Sequence, residues 1–358
     1  MIKKICFIGA GLEGGGQERA FTSLANHYAS KGFDVSIILL FKTGQFFELH
    51  KDIKIYWPPI DRTKHHRLVY ALLIIPYIRK TIKHVNPQTI VSFGEWFNPF
   101  VIFSTRGMNV PLFVSDRMSP LLNFGFFLET AKKMMYPLAS GIIAQTSFAA
   151  KTIFNKTGAT NIKVIPNPVN VVTGDTEIKK NQFVTVGRLS VEKGHQFLIE
   201  AFAKMKNKNW NLQMVGDGKE RTKLEKLVRE LGVSERVVFH GHLKEFSHIL
   251  CESKVFVLPS LSEGFPNALI EAMSVPLACI SSDCVAGPSD IITHDVNGLL
   301  VKPKDVESLS DAMDSLANDE ELVLKLSSNA CSVRNDLNFD KIANQYLDFF
   351  FHINNISK

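Results

Sequence analysis

The apolar residues of this chain fall into short β-branched runs, each followed by a polar or glycine-bearing loop and then by apolar positions at helical spacing. The first run is Ile5 to Ile8, which leads through a glycine-rich loop into a helical pattern between Ala20 and Tyr28. Val35 to Phe41 follows as the second run, so the chain opens with a β-α-β unit. Repetition of this unit predicts an α/β protein with parallel sheets.

The same pattern divides the chain into two halves. In the first half, further strands are predicted at residues 90–93, 111–115 and 141–147, and residues 163–170 predict a last strand and a proline-stiffened linker. In the second half, the apolar runs begin at Phe183, Leu212, Val237, Val255, Leu277 and Leu299, and residues 305–334 have helical spacing. We therefore predict one domain at 1–168, a second at 169–338, and an amphipathic helix at 339–358 that packs back on the first domain.

The stretch from Val255 to Met273 places two carboxylates beside one predicted strand end. Its pattern predicts a strand, a turn-rich loop that holds Glu263, and a short helix that holds Glu271. Crevices at the carboxyl ends of parallel strands bind ligands. The helix start after Asn267 offers unpaired backbone N–H groups, which suit a phosphate. A phosphate site beside two carboxylates predicts a nucleotide sugar as the ligand.

A second loop of this half adds two cations. It follows the strand that begins at Phe183 and contains Arg188 and Lys193, which can converge on two phosphates as a planar fork and a point charge. The alternative is two exposed loop charges. Glycine-bearing loops also end the next two strands, so the repeated pattern favours a single ligand-binding edge.

The glycine-rich loop after the first strand formally matches the dinucleotide motif GxGxxG at Gly9, Gly11 and Gly14. A dinucleotide site also needs an acidic residue at the end of the second strand, where this chain has Lys42. The match therefore does not indicate a nicotinamide cofactor. Two interpretations stay open: a loop that lets a diphosphate or acceptor approach the backbone near Arg19, and a plain tight turn.

Charge is unevenly distributed along the chain. Residues 1–170 contain 20 Lys and Arg against 9 Asp and Glu, a net +11, whereas residues 171–358 contain 21 against 26, a net −5. The basic first half indicates an anionic partner, for which nucleic acid, an anionic membrane surface and a phosphorylated acceptor all qualify.

Two segments of the first half are candidates for membrane contact. Residues 62–84 place basic clusters on both sides of an apolar run, and residues 121–138 combine Phe and Met with Lys132 and Lys133. Each segment is equally explained as a packed helix of the domain core. The longest apolar run has 11 residues, whereas a membrane-spanning helix needs roughly 20.

The amino-terminal pattern and the cysteine content predict a cytoplasmic protein. The amino terminus has a very short apolar run that predicts a strand rather than a signal peptide. The five cysteines are odd in number and include no CxxC pair, which favours a reducing compartment.

These motifs together resemble the family 4 retaining glycosyltransferases of the GT-B fold. The main motif is the E-x7-E spacing of Glu263 and Glu271. Supporting motifs are GRL and EKG within 187–194, VGDG at 215–218, FHG at 239–241 and GGGQER at 14–19. The resemblance covers nearly the whole chain.

The resemblance implies an α/β fold in which two Rossmann-like doubly wound domains face each other across a cleft, the first for the acceptor and the second for the nucleotide sugar. It implies that Arg188 and Lys193 bind the donor diphosphate and that Glu263 binds the transferred sugar, as the catalytic set. The implied donor-binding residues are Glu271 at the ribose, Gly264, Phe265, Pro266 and Asn267 at the sugar and phosphates, Gly241 and His242 at the base, and Gly15 and Gly16 in the first domain.

Asp116 and Arg117 follow a predicted strand end, where a site residue would lie, and together with Arg19 of the glycine-rich loop they are the candidate residues of the acceptor side. Many relatives carry a histidine where this chain has Asp116, so the residue departs from the family pattern. The alternative for Asp116 and Arg117 is a surface turn after a strand.

Within this family the chain is most similar to enzymes that build bacterial surface polysaccharides or lipid-linked oligosaccharides, and its loop at 282–288 is typical of several that use UDP-sugars. We expect transfer of a hexose or N-acetylhexosamine from a UDP-sugar to a polyprenyl-diphosphate-linked saccharide, at the cytoplasmic face of the inner membrane and without a nucleic-acid partner. No Asp-x-Asp pair is present, so we expect neither a metal nor another cofactor. The alternatives are a UDP-sugar epimerase of the same fold and a non-catalytic sugar-nucleotide-binding protein.

Overall fold

Two α/β units form this protein. The computed structural model describes residues 3–13, 16–174 and 179–352. The first unit comprises Met1–Pro166 and Ile342–Lys358, and the second comprises Asn167–Lys341. The division falls two residues before the boundary expected from the sequence.

The first unit is built on a parallel seven-stranded sheet with the order β3-β2-β1-β4-β5-β6-β7. The strands are β1 Lys4–Gly9, β2 Asp34–Leu39, β3 Lys54–Tyr56, β4 Thr89–Phe93, β5 Leu112–Ser115, β6 Gly141–Ala144 and β7 Ile162–Val164. The helices are α1 Gly16–Ser30, α2 Arg67–Val85, α3 Asn98–Thr105, α4 Phe126–Met135 and α5 Ser147–Thr157, together with α14 Phe339–His352 at the end of the chain.

The sheet of the first unit is covered on both faces. Side chains of a strand alternate between faces, so Cys6 and Ile8 pack in the core formed with α2, α3 and α5. Phe7 points to the other face, where its ring stacks with Tyr28 of α1. Burial on both faces explains why the strands are almost continuously apolar.

Helix α2 corresponds to the apolar run at 62–84. Tyr70, Ile74, Ile78 and Ile82 recur every four residues and are buried in the sheet core, although Pro76 lies inside the helix. Leu72, on the opposite face, is exposed. One face of the segment is therefore core, and the other remains open to a partner. Within the described part of the chain, every helix is too short or too polar to span a bilayer.

Helix α14 completes the first unit. The Tyr28 hydroxyl donates a hydrogen bond of 2.8 Å to the Ala343 carbonyl, and the ring of Phe349 lies 5.1 Å from that of Phe113. A Cβ on Gly141 would come within 2.5 Å of the Phe349 ring, so the glycine makes room for this contact. The expected return of the last helix to the first domain is confirmed.

The second unit is built on a parallel six-stranded sheet with the order β10-β9-β8-β11-β12-β13. The strands are β8 Lys180–Val186, β9 Asn211–Val215, β10 Val237–Gly241, β11 Ser253–Leu258, β12 Ala278–Ser282 and β13 Leu299–Val301. The helices are α6 His195–Lys204, α7 Arg221–Glu230, α8 Ser247–Glu252, α9 Asn267–Met273, α10 Pro288–Ile291, α11 Val306–Asn318, α12 Glu320–Ala330 and α13 Val333–Asp336. The strand order reverses between β8 and β11, which places the loops after these two strands side by side.

Candidate functional site

The loop after β8 lies directly against the loop after β11. Gly194 has a φ of +64°, and a Cβ there would lie 2.1 Å from the Pro259 carbonyl oxygen. The Leu261 amide also donates a 2.8 Å hydrogen bond to the Glu192 carbonyl. Only glycine permits this approach, which brings the side chains of the two loops together.

Lys193 and Glu263 form an ion pair at this contact. The Lys193 ammonium lies 2.7 Å and 2.9 Å from the two Glu263 oxygens, and the buried Ser260 hydroxyl donates a 2.6 Å hydrogen bond to Glu263 Oε1. Glu263 is only 7% exposed, so its charge needs these partners. The Lys193 side chain is 26% exposed, and its ammonium can still donate to a ligand. Two predicted catalytic residues are therefore in direct contact.

Glu271 lies on α9, with its carboxylate partly exposed. Its Oε1 accepts a 3.0 Å hydrogen bond from the Asn170 amide. The Asn167 side-chain amide likewise donates a 2.9 Å hydrogen bond to the side-chain oxygen of Asn267. The segment that the sequence pattern marks only as a linker therefore fixes α9, and sequence reasoning missed both Asn167 and Asn170.

Arg188 is exposed in the loop after β8. This loop is fixed by its backbone, because the Gly187 and Leu189 amides donate hydrogen bonds of 2.9 Å and 3.0 Å to Val215 and Asp217. Gly216 has a φ of +138°, and a Cβ there would lie 1.9 Å from the Gly187 carbonyl oxygen. A rigid loop thus presents a guanidinium to solvent at the edge that carries Lys193.

The predicted sugar and phosphate neighbours form the loop between Glu263 and α9. Phe265 and Pro266 are buried, Gly264 is partly exposed, and Asn267 is exposed as the first residue of α9. The Glu263 amide donates to the Val285 carbonyl at 3.4 Å, which ties this loop to the one after β12.

The predicted base-side residues lie at the end of β10. Gly241 has a φ of +70°, and its carbonyl accepts a 2.8 Å hydrogen bond from the Gly216 amide. His242 is exposed beside it. Both residues belong to the same edge of the second sheet as Arg188.

Sequence reasoning missed His195, the first residue of α6. The ring is buried, and its Nδ1 has no hydrogen-bond partner among the described residues. Burial, and secondarily the charge of Lys193, lowers the pKa of His195 to about 4. The imidazole is therefore neutral under the Gly187 loop. Its position directly after the EKG motif was the available signal.

The first unit also has a point where the strand order reverses, between β1 and β4. Arg19 is exposed on the first turn of α1, and Gly16 is the first residue of that helix. A Cβ on Gly94, after β4, would lie 3.0 Å from the Gln17 side chain, so the two loops are neighbours. Gly15 lies outside the described residues.

Asp116 is buried at the end of β5, so the alternative of a surface turn is wrong for it. Its carboxylate forms a 2.9 Å ion pair with Lys132 and accepts hydrogen bonds of 2.5 Å from the Tyr136 hydroxyl and 3.3 Å from the Asn98 amide. Burial, and then the charge of Asp116, raises the pKa of Tyr136 well above its usual range. An acceptor role for Asp116 stays a prediction.

Arg117 points toward α14. Its guanidinium donates a 3.2 Å hydrogen bond to the Tyr346 hydroxyl and lies 5.6 Å from the centre of the Phe93 ring. The last helix therefore helps to set the position of this predicted acceptor-side residue.

Glu95, after β4, is a second residue that sequence reasoning missed. One carboxylate oxygen accepts the backbone N–H groups of Arg117 and Met118, and the other is buried without a hydrogen-bond partner among the described residues. Burial, and secondarily repulsion from Asp116, raises the pKa of Glu95. Glu95 thus fixes the backbone at Arg117 through one carboxylate oxygen, while its other oxygen has no hydrogen-bond partner among the described residues.

The second unit brings two kinds of chemistry to one edge. Arg188 and Lys193 can stabilise the charge of a phosphate leaving group. Glu263 and Glu271 can accept hydrogen bonds from hydroxyl groups. Among residues 3–13, 16–174 and 179–352, no three His, Cys, Asp or Glu side chains are grouped to hold a metal ion.

Two protein-family models match the chain. Residues 14–172 match Glycosyltransferase Family 4, and residues 174–333 match Glycosyl transferases group 1. The first match lies in the half that carries Asp116, and the second contains Arg188, Lys193, Glu263 and Glu271.

Known proteins resemble the chain over nearly its full length. It is 30% identical over 329 residues to an uncharacterized glycosyltransferase of Methanocaldococcus jannaschii, covering 83% of each chain. It is 27% identical over 361 residues, 98% of this chain and 99% of the relative, to the GalNAc-alpha-(1->4)-GalNAc-alpha-(1->3)-diNAcBac-PP-undecaprenol alpha-1,4-N-acetyl-D-galactosaminyltransferase of Campylobacter jejuni. The structure of Anabaena HepE in complex with UDP matches with a TM-score of 0.79 at 19% identity, covering 96% of this chain and 98% of that one.

Proposed function

Because this chain belongs to family 4 of the glycosyltransferases, we propose that it transfers a hexose or N-acetylhexosamine from a UDP-sugar to a polyprenyl-diphosphate-linked saccharide. The expected family, GT-B fold and enzyme class, a hexosyltransferase, are confirmed. The proposal adds the donor, the acceptor and retention of the anomeric configuration. It places the reaction in bacterial surface polysaccharide synthesis, such as O-antigen or capsule, on the cytoplasmic face of the inner membrane.

The contact between Lys193, Glu263 and Ser260 carries the proposal. Two loops at the strand reversal hold a carboxylate in a fixed orientation beside a partly exposed ammonium. A carboxylate so fixed can accept hydrogen bonds from the hydroxyls of a bound sugar, and the ammonium and Arg188 can stabilise the charge that develops on a diphosphate leaving group. Positioned charges of this kind need little reorganisation during the reaction.

The relatives support the choice of substrates. HepE was solved with UDP, and the name of the Campylobacter jejuni transferase specifies an undecaprenol-diphosphate-linked saccharide. For this chain, a UDP-sugar donor and a lipid-linked acceptor are the corresponding proposals.

A groove in the first unit also supports a lipid-linked acceptor. It has a volume of about 510 Å³ and lies against α2. Its lining is mainly apolar and includes Tyr56, Ile60, Leu73, Tyr77, Lys80 and His84. An apolar surface beside a lysine suits a substrate that joins an isoprenoid to a phosphate.

We also propose that transfer needs no metal ion. Lys193 and Arg188 supply two positive charges where a divalent ion would otherwise neutralise the diphosphate. Activity should therefore be retained after EDTA treatment. Complete loss that magnesium or manganese restores would contradict this part of the proposal.

Transfer of radiolabelled sugar tests the function directly. Purified protein is incubated with each UDP-sugar and polyprenyl-diphosphate-linked saccharides, and the lipid product is extracted and counted. Glu263→Gln should lower the rate at saturating donor by at least about 100-fold, as expected for loss of a charged group at the reacting centre. Glu320→Gln is the matched control, because Glu320 forms a 2.6 Å ion pair with Lys254 on the surface.

Three outcomes decide between the candidates. Labelled lipid that depends on Glu263 supports the transferase, and NMR of the new linkage tests retention. Conversion of the UDP-sugar to an isomer without acceptor would indicate the epimerase. Donor binding without either product from any UDP-sugar would indicate a non-catalytic binding protein.

A further inference from the structure

Helix α4 and the loop before it expose large apolar side chains. Phe126 and Phe127 are 78% and 87% exposed, the highest values among large apolar residues in the described part of the chain. We define the α4 apolar surface as Leu121, Leu122, Phe126, Phe127 and Met134, all of which are exposed. Scattered single apolar residues are normal on a protein surface, whereas a clustered set indicates a partner.

The backbone fixes the exposure of the two rings. Gly125 has a φ of +86° and directly precedes α4, so the chain turns sharply before the helix begins. Phe126 and Phe127 then occupy the first turn, with their ring centres 5.8 Å apart. The helix is held from the other side by Lys132, which points inward to Asp116. The outward direction of the rings therefore follows from how α4 is packed.

The surroundings of the α4 apolar surface are basic. Between residues 116 and 163 the sequence has six Lys and Arg against two acidic residues, Asp116 and Glu129, and Asp116 pairs with the buried Lys132. The Glu129 carboxylate lies 3.6 Å from the Lys156 ammonium, which partly neutralises it. Lys133 on α4 and Lys151 on α5 are exposed, and the two helices pack against each other. Exposed rings on a helix that also carries an exposed lysine, packed against a second helix with another, match a bilayer with negatively charged headgroups.

We propose that the α4 apolar surface docks on an anionic lipid bilayer. Phe126 and Phe127 enter the boundary between headgroups and acyl chains, and Lys133 and Lys151 pair with lipid phosphates. This inference rests on the proposed function, because a polyprenyl-linked acceptor requires the enzyme to work at a bilayer. A second copy of the chain is a poorer occupant, since a symmetric contact would bring the same lysines together.

Vesicle co-sedimentation of the full-length protein tests the proposal. The probes are vesicles of phosphatidylcholine alone and of phosphatidylcholine with phosphatidylglycerol. Wild-type protein should bind the anionic vesicles, and less so at high salt. Phe126→Ser with Phe127→Ser should weaken this binding by about tenfold or more, because two rings lose their apolar burial. Circular dichroism confirms that the variant is folded.

Two further double variants test whether vesicle binding depends on these two rings in particular and on the neighbouring lysines. Phe46→Ser with Leu324→Ser removes two similarly exposed apolar side chains elsewhere and should bind like wild type. Lys133→Ala with Lys151→Ala should weaken binding to the anionic vesicles by about fivefold for each lysine.

Several outcomes would overturn the proposal. They are failure of wild-type protein to bind anionic vesicles, equal binding by the double phenylalanine variant, loss of binding through Leu72→Ser on α2 instead, or a wild-type dimer that the phenylalanine variant converts to a monomer. The vesicle assay contains no nucleotide sugar. It therefore gives its answer even if the transferase assay fails, so the two proposals fail separately.

Discussion

Glu95 should make the stability of the first unit fall as the pH rises. Burial, followed by repulsion from Asp116, raises the pKa of Glu95 from 4.5 to about 7, while Lys132, Tyr136 and Arg117 also border this region. Between about pH 4.5 and pH 7, the folded protein therefore holds a proton that the unfolded chain has released. The folded state binds more protons in this window, so stability decreases with rising pH.

The magnitude follows from the size of the shift. A difference of about 2.5 pKa units corresponds to about 3 kcal/mol at 1.36 kcal/mol per unit. His195 in the second unit acts in the opposite direction, because its pKa is lowered from 6.5 to about 4. A measurement on the whole chain would mix these two opposing effects, and the first unit must be observed alone.

Glu95→Gln is the informative variant, since glutamine can still accept the two backbone hydrogen bonds but does not titrate. Of the three tryptophans, Trp57 and Trp96 lie in the first unit and Trp210 in the second. In a Trp210→Phe background, urea unfolding followed by fluorescence therefore reports on the first unit. We call the Trp210→Phe protein with Glu95 intact the parent. Between pH 4.5 and pH 8, its free energy of unfolding should decrease by about 3 kcal/mol relative to that of the Glu95→Gln variant.

Glu48→Gln serves as the control because Glu48 is exposed in the same unit. Its unfolding curves should follow those of the parent at every pH. Parallel pH profiles for the parent and Glu95→Gln would refute the reasoning, since they would show that Glu95 titrates equally in the folded and unfolded states.

The remaining predictions concern the second unit. As the pH falls from about 6.5 to 4, the free energy of unfolding should decrease by about 3 kcal/mol, because the unfolded chain gains a proton that the buried His195 ring does not bind. His195→Leu should abolish this decrease, which urea unfolding at both pH values measures. In steady-state kinetics, Glu271→Gln should mainly raise the donor KM and Glu263→Gln should mainly lower kcat, and equal effects on kcat would contradict the assigned roles. Gly216→Ala should destabilise the unit by about 3 kcal/mol or more, given its φ of +138° and the 1.9 Å approach to a carbonyl, whereas Gly44→Ala in open space should leave the melting temperature unchanged.

The sequence pattern predicted the strands of both sheets well, with one instructive exception. The three-residue strand β3, Lys54–Tyr56, has only one aliphatic residue and pairs on a sheet edge. No run of that length stands out from its surroundings, so its existence depends on pairing with β2. Tertiary contact, rather than local propensity, creates this strand.

The candidate site was predictable in its residue types but not in its contacts. Lys193 and Glu263 are 70 positions apart, and the sequence placed both in loops at one edge without indicating their ion pair. His195 and Glu95 were missed because a lone histidine or glutamate carries no periodic signal. Their importance follows from burial and from an unsatisfied polar atom, which only three-dimensional packing creates.

Helix α14 determines when the first unit can finish folding. Ala343, Tyr346 and Phe350 are buried in that unit, although they follow the second unit in the sequence. A ribosome releases residues 1–166 long before it makes these three, so the newly made first unit has Phe113 and Tyr28 uncovered throughout synthesis of the second. The half that is translated first is thus the half that is completed last, and a chain cut short before α14 would present an unfinished apolar surface to chaperones and proteases.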